Sequence, residues 1–165
     1  MFKLDVLKKM TTEEKYKYML ILLEGQLSSE KDSLANLCNA SAIINAAMDR
    51  LNWAGFYINR DGVLILGPFQ GLPACNRIEF GKGVCGTAAA EKKVQRIENV
   101  HDFPGHIACD SASNSEIVVP IIVDDRVCAV LDIDSPELNR FTELEEKYLV
   151  KFVEKLIKYI TWNEI

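Results

Sequence analysis

The segment 116-EIVVPIIVDDRVCAVLDID-134 determines the fold class of this chain. It contains two runs rich in Val and Ile, residues 116–123 and 126–134, which meet at Asp124-Asp125. Runs of this length and composition, bounded by turn residues, are typical of β-strands. The segment therefore predicts two neighbouring strands of a sheet that is mainly antiparallel.

The second run separates into two faces, because successive residues of a strand point to opposite sides of the sheet. The odd positions form an apolar set that is expected to meet helices: Val127, Ala129, Leu131 and Ile133. The even positions form a mixed set: Cys128, Val130, Asp132 and Asp134. The two carboxylates on this second face either introduce the turn at Ser135-Pro136 or receive an ammonium group.

A hairpin is predicted earlier in the chain. Residues 53–59 and 63–69 are short apolar runs separated by the turn sequence Asn59-Arg60-Asp61-Gly62. By strand alternation, one face of the first run carries Trp53, Gly55 and Tyr57. If this is also the face of the two aspartates, an aromatic pair and an acidic pair line one pocket.

Helices are predicted at both ends of the chain. Thr11 and Glu14 have the spacing of a capping box, and Thr142 and Glu145 repeat it before the last apolar stripe. A second helix is expected over residues 30–50. Its apolar stripe consists of Leu34, Leu37, Ile44, Ala47 and Met48.

The middle of the chain alternates short elements with loops. Residues 83–91 predict a helix of small residues, residues 94–97 a short strand, and residues 99–115 a long polar loop of the kind that is often functional. The pattern as a whole predicts one α+β domain over residues 1–165. Its terminal helices cover one face of the sheet, and a ligand pocket lies under loops on the other.

The composition also excludes several classes of protein. With 165 residues, of which 48% are hydrophobic, the chain is large enough for a single core. A net charge of −5 with scattered Lys and Arg argues against nucleic-acid binding, which needs a basic surface. No apolar run approaches the roughly 20 residues of a membrane-spanning helix. The start of the chain lacks an apolar signal core, so the expected location is the cytoplasm.

Five cysteines in a chain without an export signal predict thiols that are buried, metal-bound or redox-active. Cys38, within the second helix, and Cys128, within a strand, are expected to be small buried apolar side chains. The other three lie at loop boundaries beside small residues: Cys75, Cys85 and Cys109. These settings favour a nucleophile with resolving thiols, because a sulfenic acid condenses readily with a second thiol.

A metal site is the alternative for the three loop cysteines. Their spacing is much wider than the C-x₂₋₄-C pairs of structural zinc sites, and only His101 and His106 would complete the set. The sequence therefore predicts no metal and no cofactor. Either histidine would favour a thiolate at Cys109 if it lay close, or would be an ordinary loop residue.

Glu116, which follows the long loop, is open to two interpretations. It is either a solvated strand start or a carboxylic acid whose pKa is raised in a pocket, so that it can donate a proton.

Five motifs resemble those of the free methionine-(R)-sulfoxide reductases, a family built on the GAF domain. In chain order they are NWAGFY (52–57), GPFQG (67–71), GKGVCGTA (81–88), HDFPGHIACDSASNSEI (101–117) and LDIDS (131–135). The cysteine triplet and the GHIACD run are specific to this family. The resemblance covers about residues 28–160 of the domain core (28–165) and leaves out the N-terminal helix (1–27).

The resemblance implies a role for each candidate residue. Cys109 matches the cysteine that attacks the sulfoxide sulfur, and Cys75 and Cys85 match the two resolving candidates. Glu116 matches the residue that hydrogen-bonds the sulfoxide oxygen. The substrate-binding positions are an ammonium-binding pair, Asp132 and Asp134, and an aromatic wall, Trp53 and Tyr57.

The implied reaction is the reduction of free L-methionine-(R)-sulfoxide through a sulfenic acid and an intramolecular disulfide, in an antioxidant and repair role. The resemblance further implies thioredoxin as the reductant, and the family includes homodimers. The main alternative is a non-catalytic GAF module that senses a small molecule or its own oxidation. Such modules usually accompany an output domain, and no second domain is predicted here.

Overall fold

The computed structural model describes residues 4–105, 107 and 111–165. Its strands are β1 (Trp53–Arg60), β2 (Val63–Gly71), β3 (Arg77–Glu79), β4 (Gln95–Ile97), β5 (Ser115–Val123) and β6 (Arg126–Ser135). They form one sheet in the order β3-β2-β1-β6-β5-β4, and every neighbouring pair is antiparallel. The predicted 116–134 hairpin and the 53–69 hairpin thus lie side by side, with β1 against β6 at the centre.

The helices are α1 (Leu4–Leu7), α2 (Thr12–Leu27), α3 (Ser33–Ala47), α4 (Gly83–Glu91) and α5 (Glu143–Leu156). Two 3₁₀ turns follow β4 and α5, at Val100–Asp102 and Ile157–Tyr159. Both predicted capping boxes are present, at Thr11 with Glu14 and at Thr142 with Glu145. None of the helices in the described ranges has both the length and the apolar character needed to cross a membrane.

The sheet has a different apolar cluster on each face. One cluster joins α2, α3 and α5 to strand residues that include Phe56, Ile117, Leu131 and Ile133. The other joins α4 to Trp53, Tyr57, Val118 and Val130. The terminal helices therefore cover one face of an antiparallel sheet, as the sequence predicted, and α4 covers part of the other.

A buried charge network ties the terminal helices together. The Arg140 guanidinium donates to Glu145 Oε1 at 3.1 Å and to Asp49 Oδ1 at 3.0 Å. The Tyr16 hydroxyl donates to the same Glu145 oxygen at 2.7 Å. Because the Arg140 and Glu145 side chains are only 2% and 5% exposed, each charge depends on the other for compensation.

Several sequence predictions were wrong in detail. Val127 packs in the α4 cluster rather than with the helices on the opposite face. The cause is a bulge in the β5–β6 ladder, where Ile121 pairs with Ala129 but Ile122 pairs with Val127, so that the alternation is reset. Cys38 and Leu34 are exposed, because α3 turns both away from the sheet.

Element bounds also differ from the prediction. The second helix is shorter than residues 30–50, beginning after the N-cap Asp32 and ending at Ala47. Strand β3 was not predicted; it is only three residues long and pairs with β2 alone. Short edge strands have too few residues to show an alternating pattern.

Candidate active site

Strand register brings the two predicted carboxylates next to a third. In the β5–β6 ladder Glu116 lies opposite Asp134, and in the β1–β6 ladder Trp53 lies opposite the same aspartate. Asp132, two residues earlier, lies opposite Gly55. Directly opposed side chains of a sheet are about 4.5–5.5 Å apart at Cβ. Three central strands therefore deliver Trp53, Glu116 and the aspartate pair to one place.

The aromatic residues form a stacked wall on the same face. The Trp53 ring stacks on Tyr57 with centroids 5.8 Å apart, and on Phe69 with centroids 5.2 Å apart. Gly55 allows this stack, because a Cβ at that position would lie 2.4 Å from Phe69 Cβ. Trp53 and Tyr57 are 2% and 1% exposed, so the wall is part of the packed interior.

Cys85 reaches the site from the first turn of α4. The helix packs tightly against the end of β3: a Cβ at Gly86 would lie 2.2 Å from the Glu79 carbonyl oxygen. This close approach carries the neighbouring Cys85 into the interior, where its thiol donates to Glu116 Oε1 across 3.9 Å. Cys85 is 3% exposed and Glu116 is 6% exposed.

Burial controls the protonation of these groups. Loss of solvent, followed by the negative charges of Asp132 and Asp134, raises the pKa of Glu116 well above its usual range. Burial also raises the pKa of Asp132, to about 6, and hydrogen bonds from Cys85 and Glu116 partly oppose this. The pKa of the Cys85 thiol is raised by burial and by Asp132. Burial therefore favours the protonated form of Glu116 and the neutral thiol of Cys85.

Six of the eight predicted site residues line one cavity: Trp53, Tyr57, Cys85, Glu116, Asp132 and Asp134. Lys82 and Ile107, which were not predicted, line it as well. The cavity measures about 30 Å³, which is room for roughly two water molecules. Lys82 is exposed and is the N-cap residue of α4, a position that the GKGVCG motif already contained.

Two buried polar atoms of the cavity lining have no hydrogen-bond partner among the described residues. They are Trp53 Nε1 and Asp132 Oδ1. A buried polar group without a partner costs about 1–3 kcal/mol, so both atoms favour a polar ligand.

The remaining predicted residues have different positions. Cys75 is half-buried, packs beside the α4 cluster and is disulfide-bonded, whereas Cys38, Cys85 and Cys128 are free. Cys109 and His106 lie outside the described residues. His101 is exposed, and its Nε2 lies 2.8 Å from Asn114 Oδ1.

The side chains that lie close enough in the structure to share a metal ion are not the ones that the sequence suggested as metal ligands. One ligand atom each from Cys85, Glu116 and Asp132 lies within 4.8 Å of the others, in the part of the chain that the structure describes. Cys75 has its sulfur in a disulfide and is not a thiolate donor in this state. Sequence reasoning missed the triad because its members come from α4, β5 and β6.

An antiparallel sheet with helices on both faces and a buried pocket containing a thiol and carboxyl groups is the architecture of a GAF domain with a candidate redox site. Residues 40–155 match the GAF domain family. Over 138 residues the chain is 52% identical to the free methionine-R-sulfoxide reductase of Escherichia coli, with 84% of each chain covered. It is 58% identical over 148 residues to protein YtsP of Bacillus subtilis, covering 88% of this chain and 91% of YtsP.

A solved structure shows the same likeness. The X-ray structure of free methionine-R-sulfoxide reductase from Neisseria meningitidis, in complex with its substrate, is 39% identical. It superposes with a TM-score of 0.89 over 94% of this chain and 93% of that one. The chain belongs to the free methionine-R-sulfoxide reductase family, a class of oxidoreductases within the GAF domain proteins.

Proposed function

We propose that this chain reduces free L-methionine-(R)-sulfoxide to L-methionine. One observation carries the proposal: a single cavity combines the buried acid Glu116 with Asp132, Asp134 and the Trp53–Tyr57 wall. A sulfoxide amino acid needs a proton donor for its oxygen, an anionic site for its ammonium group and an apolar surface for its methyl group. Family membership supports the same substrate.

The aspartate pair provides selectivity for the free amino acid. Because the pKa of Asp132 is raised only to about 6, its carboxylate is ionised at neutral pH and attracts an α-ammonium. A methionine sulfoxide within a peptide has no such ammonium, and its binding would leave buried carboxylates unpaired. Lys82, an exposed cation at the same cavity, is placed to attract the substrate α-carboxylate.

Glu116 is the proposed acid. Its raised pKa favours the protonated carboxyl group, which can donate to the sulfoxide oxygen as the S–O bond breaks. Trp53 and Tyr57 would hold the S-methyl group. This arrangement selects one epimer, because the oxygen must face Glu116 while the methyl group faces the rings.

Cys109 is the proposed nucleophile, on the strength of the motif that contains it. Its thiolate attacks the sulfoxide sulfur, oxygen is transferred to the cysteine, and methionine leaves with Cys109 oxidised to a sulfenic acid. A second thiol then attacks the sulfenic sulfur, water leaves and a disulfide forms. An external dithiol, which we propose to be thioredoxin, reduces this disulfide by thiol–disulfide exchange, restores both thiols and is itself oxidised to a disulfide. A reducing compartment such as the cytoplasm suits this cycle.

Cys75 is the proposed resolving cysteine. It is disulfide-bonded, whereas Cys85 is free. Burial raises the pKa of Cys85, so that little thiolate forms there, and attack on a sulfenic acid requires a thiolate. In this proposal Cys85 instead donates a hydrogen bond to Glu116, which partly offsets the rise in the Glu116 pKa.

The test is NADPH consumption coupled through thioredoxin and its reductase. The substrates are free L-methionine-(R)-sulfoxide, its (S) epimer and a peptide-bound sulfoxide. We expect turnover with the free (R) form alone, abolished in Cys109→Ser and unchanged in Cys38→Ser, which alters an exposed free thiol instead. Absence of turnover with every substrate, from folded and reduced protein, would leave the non-catalytic sensor as the better account.

A further inference from the structure

Cys85, Glu116 and Asp132 lie closer together than the proposed reduction requires. One sulfur and two carboxyl oxygens, one from each residue, lie within 4.8 Å of one another. The three residues are 3%, 6% and 6% exposed. The reduction needs an acid and an ammonium site, but it does not need a thiol within reach of both carboxyl groups.

A second observation, independent of this clustering, concerns one oxygen atom. Asp132 Oδ1 is buried and accepts no hydrogen bond from any described residue, although Asp132 lines the cavity. Cys85, Glu116 and the Ile133 backbone donate to the Asp132 carboxyl group, but Oδ1 itself has no partner among the described residues, and a buried carboxylate oxygen in this condition favours a cation. The adjoining cavity of about 30 Å³ has room for an ion and a water molecule.

We propose that Cys85, Glu116 and Asp132 form a binding site for a zinc-class divalent cation. One thiolate and two carboxylates suit zinc or cadmium, whereas Mg²⁺ and Ca²⁺ take oxygen ligands alone. Three protein ligands leave a fourth, tetrahedral position for water in the cavity. In such a site sulfur and oxygen ligands are roughly 3.6 Å apart. The Cys85 Sγ and Glu116 Oε1 atoms are 3.9 Å apart, and the other ligand pairs lie within 4.8 Å, so the three side chains must move closer together by up to about 1 Å to bind the ion.

The cation would take the place of protons, because zinc binds the thiolate and the ionised carboxyl groups. It would also occupy two carboxyl groups that the proposed function assigns to the substrate, so metal and substrate would exclude one another. This consequence rests on the proposed function, whereas the binding site itself does not. The sequence predicts no metal, and the alternative set of ligands, Cys75 with Cys85 and Cys109, is a different one.

The test uses the oxidised protein, in which the structure places Cys75 in a disulfide. Equilibrium dialysis against micromolar zinc, followed by metal analysis, should find one zinc per chain. The zinc should be lost in Cys85→Ser and in Asp132→Asn, and retained in Cys38→Ser and Cys128→Ser, which remove the other free thiols of the described residues. Cadmium should produce an ultraviolet thiolate charge-transfer band that Cys85→Ser lacks, and excess Mg²⁺ should not reduce it.

Two results would overturn the proposal: no zinc on the wild-type chain, or equal zinc on Cys85→Ser. Circular dichroism checks that each variant is folded; if Cys85→Ser is not, Asp132→Asn and Glu116→Gln decide in its place. No turnover is measured, so a failed metal site and a failed reductase remain distinguishable.

Discussion

The Cys85 sulfur lies 3.9 Å from Glu116 Oε1, and neither side chain reaches solvent appreciably. This contact bears on a question that the sequence left open, namely whether Cys85 or Cys75 is the resolving cysteine. A thiol whose pKa is raised by burial and by Asp132 is a poor nucleophile but a suitable neutral neighbour for an acid. Cys85 therefore belongs to the environment of Glu116.

Replacing Glu116 by Gln should lower the rate of methionine formation roughly 10²–10⁴-fold, because the amide keeps the size but has no acidic proton to donate. The measurement is single-turnover methionine release from reduced protein. A rate within a few-fold of the wild-type rate would remove Glu116 from the role of acid.

The same variant should be more stable than the wild type at neutral pH. The native state holds the Glu116 proton more tightly than the unfolded chain, so stability of the wild type falls as pH rises above about 4.3, the unfolded pKa. Glutamine does not titrate, and the difference should vanish below about pH 4. Urea unfolding at several pH values measures this, and it also separates lost activity from lost folding.

Protonation of Asp132 should determine how kcat/KM falls at low pH. Its pKa of about 6 means that the carboxylate becomes protonated, and loses its attraction for ammonium, as pH falls through that value. We expect kcat/KM to decline below about pH 6 in the wild type, and Asp132→Asn to raise KM for the free sulfoxide and to flatten this limb. Asp125→Asn, an exposed change, is the control. An unaltered acid limb in Asp132→Asn would contradict the assignment.

Cys75→Ser should lose multiple turnover, whereas Cys85→Ser should retain it. Without Cys75 the sulfenic acid has no resolving thiol, so thioredoxin-coupled turnover should stop after one methionine per chain. Cys85→Ser should continue to turn over. Methionine counts and trapping of the sulfenic acid distinguish the two. Multiple turnovers in Cys75→Ser, with arrest in Cys85→Ser, would reverse the assignment.

Arg140→Met should lower the free energy of unfolding by about 3–5 kcal/mol, because it leaves Glu145 buried without its cation. Arg50→Met is the matched control: its partner Glu137 is at the surface, and such pairs contribute about 0–1 kcal/mol. Denaturant midpoints measure both. A similar loss of unfolding free energy in the two variants would show that burial does not determine how much the Arg140–Glu145 pair contributes to stability.

Gly55→Ala should destabilise the chain by about 1–3 kcal/mol, because the added methyl group meets Phe69 Cβ at 2.4 Å. It should also weaken substrate binding by displacing the ring that stacks on Trp53. Gly25→Ala, in α2 with no atom within 4 Å of the added Cβ, should instead be neutral or stabilise by up to about 1 kcal/mol. Thermal unfolding of the two variants, together with wild type, measures the contrast.

Most helices and strands could be predicted from local sequence patterns. Both capping boxes, both hairpins and the apolar face of β6 were readable because each depends on residues that are near one another in the chain. The predictions for Val127, Leu34 and Cys38 were wrong for a common reason. A bulge in the β5–β6 ladder and the rotation of α3 about its axis are set by packing partners distant in the sequence.

The candidate site divides in the same way. Strand alternation predicted a shared face for Trp53 and Tyr57 and another for Asp132 and Asp134, and the family resemblance added Glu116; in the structure all five line one cavity. Tertiary structure alone decided that Cys85 is the thiol beside Glu116, that Asp132 keeps an unpaired oxygen, and that the pKa values of the two carboxyl groups diverge. The physical reason is that desolvation and charge proximity depend on distances between elements, which strand alternation and helix periodicity do not specify.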